Sequence, residues 1–190
     1  MNLAQHPLIK DITAYFPLHE EEQNQILNIF KPQIYPRHAP IFQSNAKLDQ
    51  LYYISEGLAK LVFTDHHGKE YILGFAMENW WETDLGAFFY QQLTSVSLIA
   101  MEKTTALSIS KHDYDQIQDQ IPNLKSYFLH KSIAGAYASQ QRILSLISLS
   151  ASERYQQLLQ HYPQWLQRIP KQYIATYLGV SRETLSRMIK

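Results

Sequence analysis

The chain contains no cysteine among its 190 residues. That absence removes disulfides, thiolate nucleophiles, cysteine-ligated zinc and iron–sulfur clusters in one step. No stretch of the sequence approaches the roughly 18 apolar residues that a membrane-spanning helix needs. The opening residues, Met1 to Pro7, lack the basic cluster and apolar core of a secretory signal. A cytoplasmic protein with no membrane partner is therefore expected. No glycine-rich loop runs into a helix, which argues against a phosphate-cradling, doubly wound nucleotide fold. No nucleophile–base pair or carboxylate pair stands out, so an enzyme is not expected. His66 and His67 with Glu70 are the nearest approach to a metal cluster. Adjacent histidines on a strand or tight turn point different ways, and no third or fourth ligand accompanies them, so a solvated turn and no metal are expected.

The net charge is zero, but it is unevenly spread. From Ala151 onward Arg154, Arg168, Lys171, Arg182, Arg187 and Lys190 face only Glu153 and Glu183, a net +4 that leaves −4 on the first 150 residues. A basic tail on an acidic body fits a chain with a small module for a polyanion.

Three textures follow one another. Residues 8–30 read as short helices, with Glu20, Glu21 and Glu22 suiting a helix N-terminus and Pro32 closing the segment. Residues 33–109 read as short strands. Leu51–Ser55 and Leu58–Phe63 are expected to form a hairpin across Glu56-Gly57, and Asp65-His66-His67-Gly68 to turn into Glu70–Phe75. Ser95–Met101 and Thr105–Ile109 complete an antiparallel roll or barrel. From Lys111 the pattern is helical. One short helix spans His112–Gln120, and a long one opens at Pro122, where proline is tolerated, and runs to about Leu149. Leu124, Phe128, Lys131, Ala134, Ala138, Gln141 and Ser145 recur along it at threes and fours. This seam suits close packing on a second copy, or on the chain's own roll. The fold class is α+β, divided as a roll over 1–121, a long helix over 122–149 and a helical module over 150–190.

The last residues carry the most specific signal. Ile174, Tyr177 and Leu178 give one short helix an apolar face, and Gly179 supplies a turn that needs positive φ. Ser181 caps a second helix, with Leu185 and Met188 or Ile189 directed inward. Helix, glycine turn and capped helix make a two-helix DNA-reading unit. Arg182, Glu183 and Arg187 fall on the outer face of its second helix. Arginine bonds both acceptors of guanine and glutamate accepts from the cytosine amino group, so these three are the expected base contacts. Lys171, Gln172, Ser181, Thr184 and Lys190 are the expected phosphate contacts. A tail mediating protein contacts beside a small-molecule sensor is the alternative.

The run Ser181-Arg182-Glu183-Thr184-Leu185-Ser186-Arg187 resembles the recognition helix of the Crp/Fnr family of catabolite activator-like regulators. The resemblance covers nearly the whole chain: a roll of the cyclic-nucleotide-binding type, a long dimerisation helix and a helix-turn-helix. It implies a homodimer on a palindromic double-stranded DNA site, with RNA polymerase as a further partner. Between a first helix at about Glu153–His161 and the helix-turn-helix, where the family has a β-hairpin wing, only Tyr162–Arg168 remains, so the module is abbreviated.

In nucleotide-binding relatives a Gly-Glu pair and an Arg-Ser pair hold the ribose and cyclic phosphate. Here Glu82 and Ser95 survive that match, while Trp81 replaces the glycine and Thr94 the arginine. A buried phosphate without a paired cation pays heavily for desolvation, so cyclic AMP is not expected to bind tightly and the effector is unknown. Glu82, Thr94 and Ser95 with Ser139 and Gln140 on the long helix form the candidate effector pocket. Trp80, Trp81, Phe88, Phe89 and Tyr90 read first as core packing and second as side chains filling that pocket.

Overall fold

The computed structural model describes residues 3–188. After a turn of 3-10 helix at Leu3–Gln5 come α1 (Pro7–Thr13) and α2 (Glu20–Ile29). Eight strands follow: β1 (Lys31–Tyr35), β2 (Pro40–Phe42), β3 (Gln50–Glu56), β4 (Leu58–Thr64), β5 (Glu70–Met77), β6 (Trp80–Glu82), β7 (Ser97–Ala100) and β8 (Thr104–Ser110). A short helix, α3 (Leu85–Tyr90), lies between β6 and β7. The remaining helices are α4 (Lys111–Gln120), α5 (Asn123–Ser148), α6 (Ala151–His161), α7 (Trp165–Arg168), α8 (Lys171–Leu178) and α9 (Arg182–Met188). The fold is α+β, with a jelly-roll body and a helical module in which the short α7 lies between α6 and α8.

Helix starts are set by local chemistry. Glu22 reaches back to accept the His19 amide at 2.7 Å, closing the first turn of α2. Ser110 caps α4 by accepting from Asp113 N at 3.1 Å, and Ser150 with Glu153 forms a capping box on α6.

The strands make two antiparallel sheets in the orders β1-β8-β3-β6 and β2-β7-β4-β5. Alternation along each strand then sorts the side chains. Tyr52, Ile54 and Ala106 face Ala59, Leu98 and Ala100 of the other sheet in the inter-sheet core. Leu51, Tyr53, Leu107 and Ile109 face outward onto Leu8, Ile12, Ile26, Ile117, Leu124 and Phe128 of the helices. Full burial of a side chain of this size stabilises by about 1.5–3 kcal/mol, so the helical layer is bound to the roll mainly by this second core.

The expected hairpin across Glu56-Gly57 does not form. β3 pairs with β6 and β8, whereas β4 pairs with β5 and β7, so Gly57 is where the chain passes from one sheet to the other. Gly57 has φ 101°, and a Cβ there would lie 2.7 Å from Lys103 O and Thr104 Cα. The turn signal was real, but it marks a corner between sheets. The second expected turn does close a hairpin, with Thr64 opposite Glu70 and the Asp65 carboxylate accepting from His67 N and Lys69 N.

The chain divides into two compact units, one up to Lys131 and one from Ser132. Within the first, the Asp11 carboxylate receives the Tyr127 hydroxyl at 2.6 Å and Lys131 Nζ at 2.8 Å. Along α5 the first part of the expected seam packs on the chain's own body. Leu124 and Phe128 belong to the first unit's core, so the seam's two apolar anchors are already used. The large apolar side chains that α5 exposes are instead Leu129, Ile133, Tyr137, Ile143, Leu144, Leu146 and Ile147. Leu129, Ile133, Tyr137, Leu144 and Ile147 recur at helical spacing on a neighbouring line.

Candidate nucleic-acid interface and sensor site

In the second unit, the buried residues of α6–α9 are Tyr155, Leu158, Trp165, Ile169, Ile174, Ala175, Leu178 and Leu185. Ile174 and Leu178 from α8 and Leu185 from α9 hold the two short helices together through the faces expected from sequence. The turn between them is a Schellman arrangement around Gly179, whose φ of 72° is left-handed. Val180 N donates to Ala175 O at 3.0 Å and Gly179 N to Thr176 O at 3.1 Å. Ser181 caps α9 by accepting from Thr184 N at 3.1 Å.

Arg182, Glu183 and Arg187 are all exposed on α9, and Lys171 and Gln172 are exposed at the start of α8. Ser181 is exposed and Thr184 half-buried, their hydroxyls 3.1 Å apart. Lys190 and Ile189 lie outside the described residues; Met188 is half-buried. The Glu183 carboxyl is held below the usual glutamate range by its own backbone N–H, by the Ser181 hydroxyl, and by the charges of Arg182 and Arg187. It stays an acceptor.

Between α6 and α8 the chain builds an aromatic column. Tyr162 stacks on Trp165 at 4.3 Å between centroids, Trp165 meets the edge of Tyr177 at 5.5 Å, and the Arg142 guanidinium covers the Tyr177 ring at 3.5 Å. The pairing of Tyr177 with Arg142, far along the chain, has no local signature.

On the roll, β6 presents alternate faces. Trp81 lies opposite Tyr53 and points to the helical layer, where its indole nitrogen donates to Tyr127 Oη at 2.7 Å. Trp80 packs against the inter-sheet core, and Glu82, opposite Tyr52, shares that inward face. Desolvation pushes the Glu82 carboxyl up to about 7, opposed only in part by the Thr83 amide that it accepts at 3.1 Å. Phe88 is fully buried in the helical core, but Phe89 and Tyr90 are 41% and 76% exposed. Phe89 packs at the rim of that core, edge-on to Phe88 at 5.1 Å and to Tyr114 at 5.9 Å.

Thr94 is 1% exposed and tied inward. Its hydroxyl donates to Asp84 Oδ2 at 2.9 Å, lies 3.1 Å from Val96 O and accepts from Val96 N at 3.2 Å. Exposed Ser95 directs its amide toward the same Asp84 oxygen at 3.4 Å, while Asp84 Oδ1 caps α3 through Ala87 N at 3.1 Å. Thr94, Ser95 and Asp84 thus form one cluster with a carboxylate at its centre. Ser139 and Gln140 belong to the second unit and are exposed on α5, with Ser139 Oγ donating to Gly135 O at 3.0 Å. His66 and His67 sit in the exposed β4–β5 turn, and no metal-binding group of three or more candidate ligands occurs among the described residues. No described helix is long and apolar enough to cross a membrane.

Residues 32–120 match the cyclic nucleotide-binding domain family. The chain is 25% identical over 166 residues to the cAMP-activated global transcriptional regulator CRP of Salmonella typhimurium, covering 82% of this chain and 79% of that protein. It is 26% identical over 164 residues to the transcriptional regulatory protein btr of Bordetella pertussis, covering 80% and 66%. In fold it is similar to the c-di-GMP responsive global regulator CLP of Xanthomonas campestris, with TM-score 0.72, 18% identity and 90% of each chain covered. The Thermus thermophilus catabolite activator protein superposes with TM-score 0.59 at 24% identity, covering 94% of this chain and 84% of that one. Residues 32–120 thus carry a cyclic nucleotide-binding domain, and in sequence and fold the chain is similar to transcription regulators of the Crp/Fnr family.

Proposed function

We propose that this regulator is a cytoplasmic homodimer that reads a palindromic double-stranded DNA site through α9. The observation that carries the proposal is the exposed trio Arg182, Glu183 and Arg187 on a Ser181-capped helix that follows the left-handed Gly179 turn. Arg182 and Arg187 take guanine edges and Glu183 a cytosine amino group. Lys171, Gln172, Ser181, Thr184 and Lys190 engage phosphates and fix register. The exposed apolar line of α5 supports the dimer, since a helix so rich in unpartnered leucine and isoleucine is stabilised by a second copy. RNA polymerase is the further partner that the resemblance to that family suggests.

The roll does not take a cyclic nucleotide tightly. At the position where a cation is needed, Thr94 is bonded to the Asp84 carboxylate, and negative charge there repels a phosphate. Glu82, Thr94 and Ser95, with Ser139 and Gln140, remain the effector candidates, for a ligand other than a cyclic phosphate.

Duplex binding measured across salt concentrations tests the DNA proposal. Displaced counterions give a steep inverse dependence of affinity on salt. Binding that is absent at low salt as well as high assigns the tail to protein contacts instead.

A further inference from the structure

The last turn of α8 leaves four carbonyls without helical partners, as every helix end does. Two are taken by the Gly179 turn, Ala175 O by Val180 N and Thr176 O by Gly179 N. The other two are taken by arginines from outside the helix-turn-helix. Arg154 of α6 gives Nε to Leu178 O at 3.1 Å and Nη1 to Leu149 O at 2.6 Å, just past the end of α5. Arg142 of α5 gives Nη2 to Tyr177 O at 2.6 Å while its guanidinium plane lies 3.5 Å over the Tyr177 ring. The negative end of the α8 dipole favours both cations.

The two arginines differ in what they join. Arg154 stands on α6, part of the same small core as α8. Arg142 stands on α5, beside the exposed Ile143 and Leu144. A guanidinium both stacks and donates in a fixed plane, so it fixes distance and angle together; a lysine ammonium donates but has no plane to stack or to fix the angle.

We infer that Arg142 is a positioning residue for DNA reading: it locks the α8–α9 unit to α5, and through the α5 seam sets the separation of the two reading helices in the dimer. This rests on the DNA and dimer proposal above. Arg142 touches no DNA; it decides whether both half-sites are engaged at once.

The test uses full-length wild type, Arg142→Ala and Arg142→Lys with duplexes whose half-sites are at the preferred spacing, or moved by one or two base pairs, or present singly. Wild type should lose about tenfold or more on mis-spaced duplexes, because simultaneous engagement needs matched geometry. Arg142→Ala should lose about tenfold at the preferred spacing, bind mis-spaced duplexes within about threefold of that, and keep single half-site affinity. Arg142→Lys should fall between, and carries the test if the alanine variant is unfolded by circular dichroism. A variant that is folded and keeps the wild-type spacing preference overturns the inference. If wild type binds no duplex, the DNA proposal has failed, and amide exchange on the same proteins decides the coupling. The Gly179 and Val180 amides should then exchange about tenfold faster in the variants, with Leu124 to Lys131 unchanged; equal rates overturn it.

Discussion

The Thr94 hydroxyl donates to Asp84 Oδ2 at 2.9 Å, and through it the segment before β7 is fastened to the cap of α3. The bond ties buried Thr94 to the carboxylate that caps α3. Thr94→Val removes donor and acceptor from a buried cluster and is expected to cost about 1–3 kcal/mol of stability. Urea unfolding midpoints check it. A midpoint equal to wild type would mean that the cluster is not held by this hydroxyl.

Glu82 gives the protein a pH dependence with a definite sign. Its folded carboxyl titrates at about 7, raised by desolvation, against the usual 4.5. Between those values the folded state holds more protons than the unfolded one, so stability falls as pH rises through the window and is lowest above it. Glu82→Gln should flatten that slope and stabilise the protein above pH 7 by about 1–2 kcal/mol, the side chain's partial exposure limiting the gain. Unfolding curves from pH 5 to pH 8 read the difference directly. An unchanged slope would place the titration elsewhere.

The α5 seam makes a prediction independent of DNA. Ile133 and Tyr137 are 59% and 61% exposed and one turn apart. Ile133→Glu or Tyr137→Glu is expected to convert a dimer to monomer in sedimentation equilibrium, since a charge there must be desolvated without a partner. Ala138→Glu, on the line first expected from the sequence, should do so less. The reverse order would restore the original seam.

On α9, Arg182→Ala and Arg187→Ala are each expected to cost about 1–3 kcal/mol of specific binding and to relax base preference at one position. Lys171→Ala should weaken all duplexes alike and lower the salt slope by about one. Competition between matched and mismatched duplexes separates the two classes, and site preference kept at wild-type level by either arginine variant would remove it from the base contacts.

Much of the fold was legible because it is locally encoded. Gly179 and Ser181 mark the helix-turn-helix by a left-handed turn and a cap, which need only neighbouring residues. The α4 and α6 starts fall one or two residues before the expected His112 and Glu153, because Ser110 and Ser150 cap them. Gly57 was legible as a turn but not as a corner, since strand pairing depends on which residues lie opposite, 50 positions away. Which of its two expected partners the start of α5 takes was not legible, because Leu124 and Phe128 look alike whether they pack on a twin or on their own roll. In the candidate site, Thr94 was singled out from the sequence, but its hydrogen-bond partner Asp84 was not. Arg142, at 35 residues from Tyr177, gave no sequence signal at all.

The central claim is tested most directly by selecting from a random duplex pool with purified, ligand-free protein. The account predicts recovery of a two-fold symmetric site with half-sites about one helical turn, ~34 Å, apart, with base preference relaxed at one position of each half-site by Arg182→Ala. Recovery of no symmetric site at any salt concentration, from protein shown to be folded and dimeric, would contradict it.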